Sequence, residues 1–288
     1  MSKTLPASAI LLISCPDQRG IVNAVTGFLL QHRGNILYLD QHVDLEQNVF
    51  FMRIEWEVAS FGLKRDEIPA AFQPLAAQFR MDWRLHFSDV AQRVAVFVSK
   101  QSHCLFDVLG RFESGEWPVQ IPLVISNHPD LGPLVRNFGI RFEYLPVTAE
   151  TKAVQERRAL ELLREQQVDL VVLARYMQVL SPVLIEALPN RIINIHHSFL
   201  PAFVGAKPYH AAYARGVKII GATGHYATAD LDQGPIIAQD IIRVSHKDSV
   251  EELIRKGQDL EKIVLARAVW VHLKHKLLVH GNKTVIFD

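Results

Sequence analysis

Residues 8–15, SAILLISC, are apolar almost without a break, as a buried strand would be. PDQRG (16–20) then reads as a turn. From Ile21 the period changes. Ile21, Val22, Val25, Phe28 and Leu29 recur at the three-to-four spacing of an amphipathic helix over 21–34, with Gly34 as its stop. NILYLDQHVD (35–44) and NVFFMRIEWEV (48–58) alternate apolar and polar residues, and LEQN between them reads as a hairpin turn. Residues 64–79 read as a helix interrupted by prolines, and 81–87 as a closing strand. This order, βαββαβ, is that of a ferredoxin-like module.

Beyond residue 93 the pattern is different. VAVFVSK (94–100), VQIPLVISN (119–127), RFEYLPV (141–147), VDLVVLARY (168–176) and RIINIHH (191–197) are nearly continuous apolar runs, separated by helical or loop stretches. Such runs predict a mainly parallel sheet with helices on both faces, a Rossmann-like α/β domain. Residues 249–275 form one long amphipathic pattern, and KLLVH and TVIFD close the chain. The expected division is a ferredoxin-like domain over 1–88 and an α/β domain over 89–288. Ligands of open parallel sheets bind beyond the carboxyl ends of the strands, so ISNH, LARYM and INIHH should share one rim.

Composition narrows the function classes. The chain has 288 residues, 49% hydrophobic and 21% charged, enough for packed cores. Lys plus Arg total 31 against 30 Asp plus Glu, a balance that argues against nucleic acid as a partner. The two cysteines, Cys15 and Cys104, stand in no CxxC or Cys/His ligand pattern, so neither a disulfide scaffold nor a structural zinc is expected. The apolar run near the start is too short to cross a bilayer and lacks a cleavage signal. No membrane partner and a cytoplasmic location are therefore expected.

The chemistry gathers at the end of RIINIHH. On a strand Asn194 and His196 face one way and His197 the other. An amide N–H beside an imidazole can polarise a carbonyl oxygen and hold the negative charge that develops on it. The partner carboxylate would come from the loop TADLDQG, which offers Asp230 and Asp232. Other readings coexist with this one. Asn194 could tie two loops together. His196, His197 and Asp232 could hold a metal, although consecutive histidines on one strand diverge, and no metal is expected. His225 is either a supporting donor or a core histidine. Ser198 suits a turn better than a nucleophile.

At these residues the chain resembles a known family. Asn194, His196, Ser198, Leu200, Pro201, Phe203 and Gly205 match the first block of the folate-dependent formyltransferase fold. His225, Thr228, Asp232, Gly234 and Ile236 match the second, and Leu173 to Ser181 the third. The resemblance selects Asp232 over Asp230. It implies a folate pocket bordered by Leu173, Arg175, Met177, Gln178, Leu180, Thr228 and Gly234. Glycinamide ribonucleotide formyltransferases carry a glycine-rich phosphate loop after the first strand. SKQSHCL (99–105) here has no glycine, so a phosphorylated acceptor would lose its cradle. Methionyl-tRNA formyltransferases carry an extra domain, for which too little chain follows Asn194.

CPDQRGIVNAVTGFLLQHRGNI resembles an ACT domain, an amino-acid-sensing module. With the formyltransferase-like part, nearly the whole chain resembles the formyltetrahydrofolate deformylase family. The resemblance implies hydrolysis of 10-formyltetrahydrofolate to formate and tetrahydrofolate, with Asn194, His196 and Asp232 as catalytic residues and no cofactor beyond the substrate. Formyl transfer to an amine is the alternative, and a non-catalytic folate or amino-acid binder a third. Lys207, Pro208 and Tyr209 read either as a wall of the site or as a helix start. The resemblance further implies a candidate effector site at Asp17, Gln18, Arg19 and Gly20, for methionine or glycine, and a homodimer or homotetramer.

Overall fold

β1 (Ser8–Pro16) is buried because both of its faces are covered. In the computed structural model, which describes residues 6–201 and 208–288, it is followed by α1 (Ile21–Gln31), β2 (Ile36–Asp44), β3 (Val49–Glu57), α2 (Ile68–Phe79) and β4 (Asp82–Phe87). The antiparallel sheet runs β2-β3-β1-β4, the ferredoxin-like order. Leu11 and Ile13 pack on Val25 and Leu29 of α1 and on Phe72 and Ala76 of α2. α1 stops three residues before Gly34, whose N–H donates to the Leu29 carbonyl at 2.7 Å after Arg33 turns left-handed. α2 starts later than expected, with Pro69 in its first turn, where the missing N–H costs nothing.

The other face of this sheet is closed from the far end of the sequence. Leu12 and Phe51 pack on Leu278, Val285 and the fully buried Phe287. Arg53, buried on the same face, donates from Nε to the His275 carbonyl at 3.0 Å and from its terminal nitrogen to Glu55 at 2.7 Å. Accordingly one compact unit comprises residues 1–90, 274–280 and 285–288, and the other 91–273 with 281–284. The expectation placed all of 89–288 in the second domain. Its final residues instead complete the first unit, because β1 and β3 carry apolar residues on both faces.

The second unit contains β5 (Gln92–Val98), α3 (His103–Glu113), β6 (Val119–Ser126), α4 (Gly132–Asn137), β7 (Arg141–Tyr144), α5 (Lys152–Glu165), β8 (Leu170–Leu173), α6 (Pro182–Ala187) and β9 (Ile192–His196). Then come α7 (Pro208–Arg215), β10 (Ile219–Tyr226), β11 (Ile236–Arg243) and α8 (Val250–Leu273); β12 (Leu277–His280) and β13 (Lys283–Ile286) pair as a separate ribbon. The sheet order is β11-β10-β9-β8-β5-β6-β7. β5 to β9 are parallel, β10 runs against β9, and β11 against β10. Because β5 continues into β6 on one side and has β8 on the other, their carboxyl ends flank a switch point of the chain. The strand expected over 168–176 ends at Leu173, since Arg175 takes a left-handed φ of 63° and leads the chain off the sheet.

Phe287→Ala is expected to destabilise the first unit by about 3–5 kcal/mol, through lost burial and the cavity left behind. A urea titration followed by tryptophan fluorescence checks it. An unchanged midpoint would mean that Phe287 does not close that face.

Candidate active site

The pairing of β10 with β9 assembles the site. Register sets His225 opposite Asn194 and Thr223 opposite His196. The Asn194 amide lies 3.2 Å from His225 Nε2, and His225 Nδ1 lies 2.9 Å from the Tyr226 carbonyl. That carbonyl can only accept, so Nδ1 carries a proton and donates to it. Thr223 Oγ1 donates to the Ser198 carbonyl at 2.9 Å and accepts from Leu200 N–H at 3.1 Å, which pins the turn after β9. Gln239 of β11 donates to the Leu200 carbonyl and to Thr223, completing the brace.

The loop between β10 and β11 delivers the carboxylate. Asp232 Oδ2 lies 3.2 Å from His196 Nδ1, and Oδ1 lies 3.7 Å from His225 Nε2. Asp230, the other candidate, is exposed, and its carbonyl caps Thr228. Asp232 holds a left-handed φ of 57°, a conformation that must be enforced by its surroundings. The enforcement comes from Gly234. A Cβ there would stand 1.8 Å from the Tyr226 carbonyl oxygen, while Tyr226 N–H donates to the Pro235 carbonyl at 2.9 Å. Only glycine lets the loop lie this close to β10.

The electrostatics follow from these contacts. The hydrogen bond from His196 first, and then the neighbouring His225 ring, hold the Asp232 carboxyl far below the usual carboxylate range. His197 is pushed down to about 4, first by burial and then by the nearby Arg175 guanidinium, so it is neutral near pH 7. Among the described residues, His196 Nε2 is buried and has no hydrogen-bond partner. With Nδ1 turned to Asp232, Nε2 is the ring atom left for a ligand.

A cavity of about 380 Å³ opens on this cluster. Asn194, His196, His225 and Asp232 line it, as do the expected pocket residues Leu173, Arg175, Met177, Gln178, Leu180 and Thr228. Met177, Val179 and Leu231 are at least half exposed, leaving apolar surface at its rim. Gly234 does not line the cavity but positions the loop, and Ser198 lies on the turn after β9. Phe203, Gly205 and Lys207 lie outside the described residues; Pro208 opens α7, as a helix start would. In the first unit, Asp17, Gln18 and Gly20 border a groove with Asn23, Gln41 and Phe50, whereas Arg19 is not on its wall.

Sequence reasoning missed Thr223 and Gln239, which carry no motif of their own, and a buried cluster around Glu261. The described residues whose atoms come within mutual metal-ligand reach are His103, Cys104 and Glu261, not His196, His197 and Asp232. Arg175 Nε, 3.4 Å from Glu261, already supplies positive charge there.

Residues 92–269 match the formyl transferase family model. The chain is 56% identical over 280 residues to the formyltetrahydrofolate deformylase of Synechocystis, covering 97% of this chain and 98% of that one. The chain belongs to the formyltetrahydrofolate deformylase family. The crystal structure of a formyltetrahydrofolate deformylase from Pseudomonas syringae superimposes with a TM-score of 0.97 at 47% identity, covering 100% of this chain and 96% of that one. A glycinamide ribonucleotide transformylase from Symbiobacterium toebii matches 69% of this chain and 95% of its own, at 32% identity and a TM-score of 0.64. The deformylase family thus spans both units, whereas the transformylase covers about two thirds of the chain.

Two outcomes are expected. Because the Asp232 pKa is depressed on folding, this carboxylate contributes stability that is present above its unfolded value, about 3.9, and is lost as pH falls toward the folded value. A carbon-13 NMR titration should show Asp232 still ionised at pH ~3.5, where exposed aspartates are largely protonated; an ordinary midpoint would refute the pairing. Gly234→Ala should displace the loop and abolish the Asp232 contact with His196, seen as return of the Asp232 carboxyl toward an ordinary midpoint.

Proposed function

We propose that this protein hydrolyses 10-formyltetrahydrofolate to formate and tetrahydrofolate. The observation that carries the reading is His196, with Nδ1 held by Asp232 and Nε2 buried, unpartnered among the described residues and beside Asn194 in the cavity wall. The formyl oxygen fits between Asn194 and His196. Water adds to the formyl carbon as one of its protons passes to His196 Nε2, and negative charge grows on the formyl oxygen. Asn194 and the His196 Nε2–H so formed donate to the tetrahedral oxyanion. The bond to N10 then breaks as N10 takes up that proton, leaving formic acid, which loses its own proton to solvent. A carboxylate held so far below its ordinary pKa is a weak base. Asp232 therefore orients His196 and neutralises charge that develops on the ring, rather than deprotonating water. His225 sets the Asn194 amide. Formyl transfer to an amine is not favoured, since the full-length relatives are deformylases.

The wider setting belongs to the same proposal. The folate is a substrate, and no further cofactor enters the reaction. Released formate feeds purine biosynthesis, and tetrahydrofolate returns to the one-carbon pool, in the cytoplasm. The first unit acts as an ACT domain: the groove at Asp17, Gln18 and Gly20 takes methionine or glycine, and the unit assembles homodimers or homotetramers. The βαββαβ order and sheet order support this reading. No helix among the described residues is long and apolar enough to cross a membrane.

The test is formate release from 10-formyltetrahydrofolate without an added acceptor. Wild type should turn over, while Asn194→Ala, His196→Ala and Asp232→Asn should each lower kcat by about a hundredfold or more with little change in KM. Methionine or glycine should change the wild-type rate. Absence of formate release from folded protein would sink the hydrolase reading.

A further inference from the structure

Beside the catalytic cavity lies a buried polar cluster that the proposed chemistry does not use. Glu261 of α8 is 1% exposed. One carboxylate oxygen accepts from the Tyr209 hydroxyl at 2.5 Å; the other lies 2.7 Å from His103 Nε2 and 3.4 Å from Arg175 Nε. Arg175 Nε also donates to Gln101 at 2.9 Å, and Arg175 is 6% exposed. Gln101 and His103 follow β5, Arg175 follows β8, Tyr209 belongs to α7 and Glu261 to α8. β5 and β8 flank the switch point, where open parallel sheets ordinarily take up a ligand. Here the protein's own side chains converge on that place.

Stability is a poor explanation for the cluster. Desolvating an ion pair offsets most of its attraction, so an apolar filling would serve as well. Arg175 also occupies a left-handed backbone conformation that a non-glycine residue adopts at a cost. Yet Arg175 lines the same cavity as Asn194, His196 and Asp232. Arg175 is therefore a wall residue of the catalytic cavity whose guanidinium is held by two partners outside the catalytic set.

We propose that Arg175, clamped by Glu261 and Gln101, restricts the attacking nucleophile to water by filling the acceptor side of the catalytic cavity. The inference rests on the hydrolase reading. An amine acceptor needs more room than water, and its ammonium form meets a fixed guanidinium of like charge. Neither obstacle touches water. Both reactions break the same carbon–N10 bond and put a proton on N10. In hydrolysis water oxygen bonds to the formyl carbon. In transfer the amine nitrogen does so and loses a proton. Selection therefore acts on access, since Asn194 and His196 would stabilise the oxyanion in either case. The same fold in the Symbiobacterium toebii protein, a glycinamide ribonucleotide transformylase, shows that it is compatible with an acceptor other than water.

The experiment measures how the formyl group partitions. Full-length protein is incubated with 10-formyltetrahydrofolate and increasing glycinamide, a small primary amine, and formate and N-formylglycinamide are quantified by mass spectrometry. Wild type should give formate alone above the uncatalysed background. The double variant Arg175→Gly with Glu261→Gln removes the plug, suits the left-handed backbone and leaves no buried unpaired charge. Its ratio of transfer to hydrolysis should rise with amine concentration to at least tenfold above wild type. Gln101→Ala, at an exposed position, releases the guanidinium without opening the core and should give a smaller rise. Arg175→Met keeps the bulk and should stay nearer wild type than the double variant. If every folded variant partitions as wild type does, or if the folded double variant neither hydrolyses nor transfers, the proposal is overturned. Should the double variant not fold, Gln101→Ala decides alone. A wild type that releases no formate would instead refute the hydrolase reading itself.

Discussion

The contact between His196 Nδ1 and Asp232 is the constraint around which the second unit is arranged. It joins two segments that leave the sheet at different points, the end of β9 and the loop after β10. Bringing them together requires a fixed register between antiparallel neighbours, because a one-residue slip would turn both His196 and Asn194 to the opposite face. It also requires the loop to lie on the backbone of β10, which excludes any side chain at residue 234. Thr223 and Gln239 then hold the turn beyond His196 from the far side. The catalytic geometry is thus maintained by backbone approach and by uncharged polar groups, which do not titrate near neutrality.

Two neighbouring histidines meet different environments. Among the described residues His196 keeps one nitrogen on a carboxylate and one free. His197, just beyond the end of β9, lines the same cavity, is driven toward the neutral form and packs near the His196 and Tyr209 rings. One dipeptide therefore supplies a polar group for chemistry and a neutral ring beside it.

Much of this was legible in the residues. Period alone separated the ferredoxin-like part from the parallel sheet, and strand alternation put Asn194 and His196 on one side. The choice of Asp232 over Asp230 was not legible from local chemistry, since both are loop aspartates two residues apart. It depends on Gly234, whose need for close backbone approach shows only once β10 is in place. Two signals were present and unread. The unbroken apolar run of β1 announced a cover on both faces, but nothing local said that it would come from residues near 280. In α8, Leu253, Gly257, Leu260, Val264 and Ala268 mark the buried stripe, and Glu261 falls within it. A carboxylate on an apolar face must find partners, and its partners lay in distant loops that periodicity does not reach.

The closure of the first sheet by Phe287 and its neighbours has a consequence for synthesis. Residues 1–90 emerge first, yet their unit is completed by residues 274–280 and 285–288. At about 5–20 residues per second, the ribosome needs on the order of 10–40 s to make the intervening stretch. Through that interval Leu12 and Phe51 lack their final cover. The nascent chain carries an apolar sheet face, open to chaperones and to other nascent chains, until residues 274–288 are made.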